Sequence, residues 1–219
     1  MSNNRRAFLK FGLAGAAVIA GLNQLLKVSP HEFNERLTRS LLGARREAKV
    51  YPRDRARTPR ANGSAGLEEE FDPKDWALKI EAPDVSSRSI SIEEVKSLPR
   101  VEMTTELMCV EGWSEIVHWT GTPLSNIAPP QAPEYVSLTT PDEVYYVGLD
   151  RESALHPQTL LAWEMNGAPL TSEHGAPLRL VIPVKYGIKS IKRIGSIRFI
   201  AERPSDYWAE RGYDWYSGL

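Results

Sequence analysis

The sequence contains a single cysteine, Cys109, in 219 residues. One thiol cannot close an internal disulfide. It also leaves no Cys-x-x-Cys pair for a structural zinc or an iron–sulfur cluster, and no Cys-x-x-Cys-His for covalently attached haem. Haem is therefore expected on another protein. Neither Gly-x-Gly-x-x-Gly nor a Gly-rich Walker loop occurs, which removes the two commonest phosphate cradles. Heptads and internal repeats are missing as well. The apolar run from Phe11 to Leu26 is interrupted by Asn23 and Gln24 and falls short of the roughly 20 apolar residues of a spanning helix. What remains is 42% hydrophobic and 25% charged, the balance of a soluble globular protein of one ordinary domain plus a tail.

The net charge of −1 conceals a division. Residues 1–60 carry 13 Lys/Arg against 4 Asp/Glu, and the remainder carries 14 against 24. A basic tail precedes an acidic body. An exported protein without disulfides rests on its core or on a bound cofactor.

Asn4-Arg5-Arg6-Ala7-Phe8-Leu9-Lys10 ahead of that apolar run reads as an export signal and resembles a twin-arginine signal. Residues 1–26 are therefore expected to be a signal or, lacking a clean Ala-x-Ala cleavage site, an N-terminal membrane anchor, with the mature protein in the periplasm. The twin-arginine route carries folded proteins, often with a cofactor already inserted. Within residues 27–66, His31 to Ala48 places Phe33, Leu37, Leu41 and Leu42 near helical spacing among arginines. That pattern suggests a basic amphipathic helix on a membrane surface or a partner, or a helix docked on the main domain. Lys49 to Gly66, rich in Arg, Pro, Gly and Asn, reads as a linker.

Residues 67–219 form the expected main domain. Strands are predicted at Trp76–Ile80, Met103–Val110 (the central one), Tyr135–Thr139, Val144–Leu149, Leu178–Val184 and Ile194–Ile200. A short helix is predicted at Ile92–Leu98, a single turn at Pro123–Ile127, and a short helix or turn at Gln158–Trp163. Short strands with scattered single-turn helices give an α+β fold with a mixed, β-rich sheet.

The chemistry centres on Glu106-Leu107-Met108-Cys109-Val110-Glu111-Gly112-Trp113-Ser114. A thiol at the end of a strand suits a metal ligand held by a rigid element, and equally an inert buried cysteine. Two downstream runs add to it. The first is Leu160-Leu161-Ala162-Trp163-Glu164-Met165-Asn166-Gly167, followed by His174-Gly175-Ala176-Pro177-Leu178-Arg179. The second is Lys185-Tyr186-Gly187-Ile188-Lys189-Ser190-Ile191-Lys192. Together these resemble the molybdopterin-binding core of the sulfite oxidase superfamily over most of residues 74–210. Cysteine followed by Val-Glu-x-Trp-Ser resembles the bacterial twin-arginine-exported branch, which includes periplasmic methionine-sulfoxide reductase catalytic subunits.

The resemblance implies a sulfite oxidase-like fold and a molybdenum–molybdopterin cofactor with Cys109 as the metal's thiolate ligand. It further implies that His174, Arg179, Ser190, Ile191 and Lys192 bind the pterin or its phosphate, and that Asp150 and Thr140 contact the cofactor. Glu111 is a candidate catalytic residue beside the metal or a plain loop carboxylate. A soft thiolate suits a sulfur-loving metal, and Arg179, Lys189 and Lys192 offer charge to a phosphate. Trp113 and Trp119 read as packing residues rather than electron relays. Departures bear on substrate: Met108 precedes Cys109, Gly112-Trp113-Ser114 lacks the arginines of sulfite oxidases, and Glu152 falls where those enzymes carry a tyrosine. The upstream Asn and Tyr-Glu contact of larger bacterial members is not found in Leu67–Trp76, and the C-terminal dimerisation domain of sulfite oxidases is not expected.

The expected function is two-electron oxygen-atom transfer on a small or protein-bound substrate, a sulfoxide among the candidates, with electrons exchanged with a membrane-bound cytochrome b-type haem subunit. Alternatives are sulfite oxidation, a non-catalytic binding module of the same fold, or a cysteine-nucleophile enzyme with His118 as base.

Overall fold

A computed structural model describes residues 29–42, 46–68, 74–83 and 85–219. The export signal read over residues 1–26 lies outside them. The chain divides into Met1–Gly43 and Ala44–Leu219, and the second unit holds both sheets. In the first, helix α1 spans Pro30–Leu42. It opens on a reciprocal cap in which the Ser29 amide donates to Glu32 Oε2 and the Glu32 amide to Ser29 Oγ. No helix among the described residues is long and apolar enough to cross a membrane.

The first sheet of the second unit has the order β2-β1-β10-β5-β6, from Val85–Ile90, Leu78–Ala82, Ser196–Ile200, Tyr135–Thr139 and Tyr146–Asp150. β1 and β10 run parallel and the other pairs antiparallel. The second sheet has the order β3-β4-β7-β8, from Val101–Met108, Ser114–Pro123, Leu160–Met165 and Ala168–Pro169, with β9 (Arg179–Val181) also paired to β7. Two short helices join them, α2 (Ile92–Lys96) and α3 (Arg151–Ala154). The mixed, sheet-rich α+β class expected from the sequence is the class observed.

Burial explains each element. β5 and β6 pair across the turn at Thr140–Glu143, and Val136, Leu138, Val147 and Leu149 all lie in the core. α2 begins on a Ser91/Glu94 capping box and buries Ile92 and Val95. Trp76 donates its indole N–H to the Ile194 carbonyl and fixes the start of β1 against β10.

Three expectations are corrected. Gln158–Trp163 is not a helix or turn, because Leu160–Met165 is strand β7, nearly all buried. A short apolar run buried on both faces has no period to separate strand from helix. β4 was not foreseen: His118, Thr120 and Thr122 are buried along it, and their polarity hides the strand. Finally, the strand bearing the cysteine is an edge strand, not the central one, and it ends at Met108.

That edge is covered by the stretch read as a linker. Val50 forms an antiparallel bridge with Thr105, and the Tyr51 amide donates to the Thr104 carbonyl. Ala48 is clasped by Gln158 through both its amide and its carbonyl, at 2.7 and 2.9 Å. The Arg57 amide donates to the Ile116 carbonyl, and Asn166 Nδ2 to the Arg57 carbonyl. Residues 46–68 thus form a strap that caps the unpaired side of β3 at Val50–Tyr51 and then bonds β4 at Arg57.

Candidate active site

Cys109 is the first residue past β3, at the tip of the β3–β4 hairpin. Its amide donates to the Trp113 carbonyl and its carbonyl accepts from the Gly112 amide. Gly112 has φ +86°, a conformation that favours glycine. The tight turn fixes the half-buried thiol between two adjoining hollows.

The first hollow is a cavity of about 480 Å³ whose lining includes Cys109, Glu111, His174, Arg179, Ser190 and Lys192. It gathers most of the residues singled out from the sequence, although they come from distant parts of the chain. Arg179, on β9, is 3% exposed; its guanidinium donates to the carbonyls of His174 and Ser190 and stacks 4.9 Å from the Trp119 ring centroid. No carboxylate among the described residues forms an ion pair with it within 4.0 Å. Burial lowers its pKa to about 10. Lys192 is held at about 8, by burial first and Arg179 second. Burial, then the same two cations, lowers the pKa of His174.

Two adjacent cations and a neutral imidazole in one cavity form a site for an anion. A thiol stands on the same cavity. This donor set fits molybdopterin, which carries a terminal phosphate at one end and at the other a dithiolene-bound metal that takes a soft thiolate.

The remaining candidates sit elsewhere. Ile191 is a core residue, 1% exposed, and only its neighbours Ser190 and Lys192 line the cavity. Thr140 is buried in the β5–β6 turn, where its hydroxyl donates to Asp142 and accepts from the Tyr145 amide. Asp150 caps α3 through the amide and hydroxyl of Ser153 and lies 3.7 Å from Lys185 Nζ. Neither Thr140 nor Asp150 lines the cavity.

Lys189, expected to offer charge to a phosphate, is fully buried and turned away. Its ammonium donates to Asp206 at 2.6 Å and to the Gly148 carbonyl at 3.0 Å. Glu152 is exposed on α3 and lines neither hollow, so it takes no tyrosine's place. His118, the base of the nucleophile reading, bonds Thr104 and lies 3.4 Å from Glu102. Its rung, Thr104↔His118, is four removed from Met108↔Ser114 at the tip, about 13 Å along the strand.

The sequence reading missed one wall altogether. Pro59, Arg60, Asn62, Gly63, Ser64, Ala65 and Glu68 of the strap line the cavity, and Asn62 Nδ2 lies 4.0 Å from Cys109 Sγ. Lys192 Nζ donates to the Asn62 and Gly63 carbonyls at 2.6 and 3.2 Å. Tyr145, Tyr207, Trp208 and Tyr213 complete the lining.

The second hollow is an open groove lined by Met108, Cys109, Val110, Gly112, Trp113, Ser114, Tyr186 and Tyr213. It contains no Lys, Arg or His among the described residues. Glu111 stands at the edge of the first cavity, where its carboxylate accepts the Trp113 indole N–H at 3.0 Å.

The fold and the cavity define a class, and comparison with known proteins fixes it. Residues 65–208 match the oxidoreductase molybdopterin-binding domain family, to which the chain belongs; membership implies a molybdenum–molybdopterin cofactor. The catalytic subunit MsrP of protein-methionine-sulfoxide reductase from Xanthomonas campestris pv. campestris is 40% identical over 152 residues, 61% of this chain and 47% of that protein. A putative protein-methionine-sulfoxide reductase subunit, YedZ1, of Azospira oryzae is 30% identical over 98% of this chain and 87% of its own length. The chain thus spans about half the length of the MsrP relative. Among solved structures, the sulfane dehydrogenase SoxCD of Paracoccus pantotrophus shares the fold at a TM-score of 0.55 and 19% identity, covering 62% of this chain and 40% of that one.

Proposed function

We propose that this protein is an exported oxidoreductase that reduces a neutral sulfoxide by two-electron oxygen-atom transfer, supplied with electrons by a membrane-bound cytochrome b-type haem subunit. The observation that carries the reading is the position of Cys109, where a cationic cavity meets an aromatic groove free of cations. The names of the MsrP and YedZ1 relatives point to the same chemistry. The twin-arginine pattern at Arg5-Arg6 supports a periplasmic location.

Cys109 is the thiolate ligand of the metal. Arg179, Lys192 and the Ser190 hydroxyl would hold the phosphate end of the pterin, and His174, kept neutral by burial and then by its cationic neighbours, would offer a hydrogen bond to the ring system. Ile191 acts through its backbone, placing Ser190 and Lys192. Thr140 and Asp150, assigned as cofactor contacts by resemblance, support the site from behind. Thr140 seats Gly66 of the strap, where an added Cβ would lie 2.4 Å from Thr140 Cγ2, and Asp150 fixes the start of α3.

When bound, the molybdenum centre supplies the oxygen-atom exchange. Reduction of a sulfoxide consumes two electrons and two protons and releases a thioether and water. Glu111, two residues from Cys109 and on the first cavity with Glu68, is the carboxylate we assign to proton relay. Trp113, Tyr186, Tyr213 and Met108 give a thioether-like group the sulfur–aromatic and apolar contacts it favours. The groove lining holds no cationic side chain to pair with sulfite, which favours a neutral substrate over that anion.

The test uses protein exported with its cofactor-assembly genes intact. Equimolar molybdenum and pterin, with reduced-dye turnover on methionine sulfoxide exceeding sulfite oxidation, is the expected result. Faster turnover of sulfite would overturn the substrate assignment. Folded protein with sub-stoichiometric metal would make the chain a binding module.

A further inference from the structure

The strap carries more than a cavity wall. Arg46, Lys49, Arg53, Arg55, Arg57 and Arg60 fall within residues 46–60 against only Glu47 and Asp54, and all six basic residues are exposed. Their contacts leave the charge facing outward. Lys49 and Arg55 flank the Tyr51 ring at 4.9 and 5.7 Å. Arg57 Nη1 donates to the carbonyls of Asp54 and Ala56. Arg53 reaches Glu102 at 3.7 Å with both side chains largely in solvent. Residues 61–219, by contrast, hold 14 Lys/Arg against 24 Asp/Glu. The balance of charge thus reverses after residue 60, and the strap is the basic part of this sequence region.

We propose that this basic ridge docks the protein onto an anionic phospholipid surface, strap side down, with the rim of the Cys109 cavity beside the bilayer. Three features favour lipid over an acidic protein. The charges are strung along an extended segment rather than focused in a pocket, which suits mobile headgroups that gather beneath them. Val50, 59% exposed, and the Tyr51 ring stand among the cations and suit the interfacial zone. The net negative balance of residues 61–219 disfavours their approach to the same surface, so the strap is the segment that meets it. Arg60 both ends the ridge and lines the cavity, which ties the docked face to the mouth.

The full chain is tested, with its N-terminal segment common to every arm. Binding to neutral phosphatidylcholine vesicles is compared with binding to vesicles containing one part phosphatidylglycerol in three, at low and high salt, alongside hydrogen exchange of residues 46–60. The variant Lys49→Gln/Arg53→Gln/Arg55→Gln/Arg57→Gln removes the charge without touching the cavity lining. Wild type should prefer anionic vesicles by about tenfold or more, lose that preference in salt, and show slowed exchange in residues 46–60 on anionic vesicles only. The quadruple variant, with an unchanged thermal unfolding midpoint, should lose the preference. Equal preference in the variant, or unchanged exchange on anionic vesicles, refutes the proposal. Protection of residues 46–60 by polyglutamate but not by vesicles would assign the ridge to an acidic protein and refute it equally.

Discussion

The cavity beside Cys109 has two walls of opposite character. One is built by the body: Arg179 on β9, Ser190 and Lys192 after it, all rooted in the core. The other is the strap, whose residues 60–64 are exposed or half-buried and whose attachments are separate hydrogen bonds. The body wall supplies fixed charge in a dry setting, where charge is strongest. The strap supplies closure, and one body residue, Lys192, ties it down through two backbone carbonyls. The lesson is a division of labour between a rigid wall that recognises and a lightly held wall that encloses.

The largest expected effect falls where both walls meet. Cys109→Ser should leave the unfolding transition in place, because the thiol is half-buried at a hairpin tip, while dye-linked turnover falls by about 100-fold or more. Loss of an outer-shell partner alone costs 10–100-fold. Retained turnover would remove Cys109 from the ligand role.

A second effect probes how rigid the body wall is. Lys189 and Asp206 form a buried ion pair, and Asp206 also accepts from the amides of Gly148, Trp208 and Ala209. The pair joins the Gly187–Lys192 stretch to the Tyr207–Trp208 side of the cavity. Lys189→Met strands a buried carboxylate and should cost about 3–5 kcal/mol, read by denaturant unfolding. The exposed pair Arg53–Glu102 on the strap side should leave the unfolding midpoint unchanged on Arg53→Gln. Similar losses for the two would erase the distinction between walls.

The strap wall can be probed through two glycines in similar backbone states. Gly63 has φ +72° and open space around its missing Cβ, whereas Gly66 has φ +78° and Thr140 against it. Gly63→Ala should cost about 1 kcal/mol from backbone strain alone, and Gly66→Ala more, since the methyl must also displace the Thr140 side chain from its turn. Tryptic cutting at Arg57 and Arg60, relative to global unfolding, reports strap release; equal rates in the two variants would mean that Gly66 is not a seating point.

The two walls also differ in how readable they were from sequence. The body wall announces itself because its residues share a long, specific pattern, and His174, Arg179, Ser190 and Lys192 do converge. Lys189 shows the limit of that reading. A lysine in a basic run signals charge but not direction, and this one is spoken for by an aspartate 17 residues on. The strap was read as a linker because Pro, Gly, Arg and Asn mark irregular backbone, and irregular backbone looks alike whether free or docked. Its docking rests on its own main-chain groups, which bond β3 and β4 and the distant side chains of Gln158, Asn166 and Lys192, so the strap's own side chains do not announce it. β4 escaped for a related reason: its buried polar residues find partners such as Thr104 for His118 that only the folded sheet supplies.

The smallest effect concerns protonation of the residue that joins the walls. Lys192 titrates near 8 because burial and then Arg179 disfavour its charge. A phosphate favours the ammonium, so above pH 8 binding of the pterin must be accompanied by proton uptake. Affinity should then fall with rising pH, by at most about tenfold per unit, between roughly pH 8 and the ordinary lysine range. Fold stability carries the opposite sign. The depressed pKa penalises the charged form of the native protein below pH 8, and that penalty is relieved as pH rises above it, while the unfolded chain still holds its proton. Lys192→Met should bind pterin more weakly at pH 7 yet lose the decline above pH 8. Pterin retention after gel filtration at pH 7, 8 and 9 reads this directly, and an identical decline in wild type and variant would place the titrating group elsewhere.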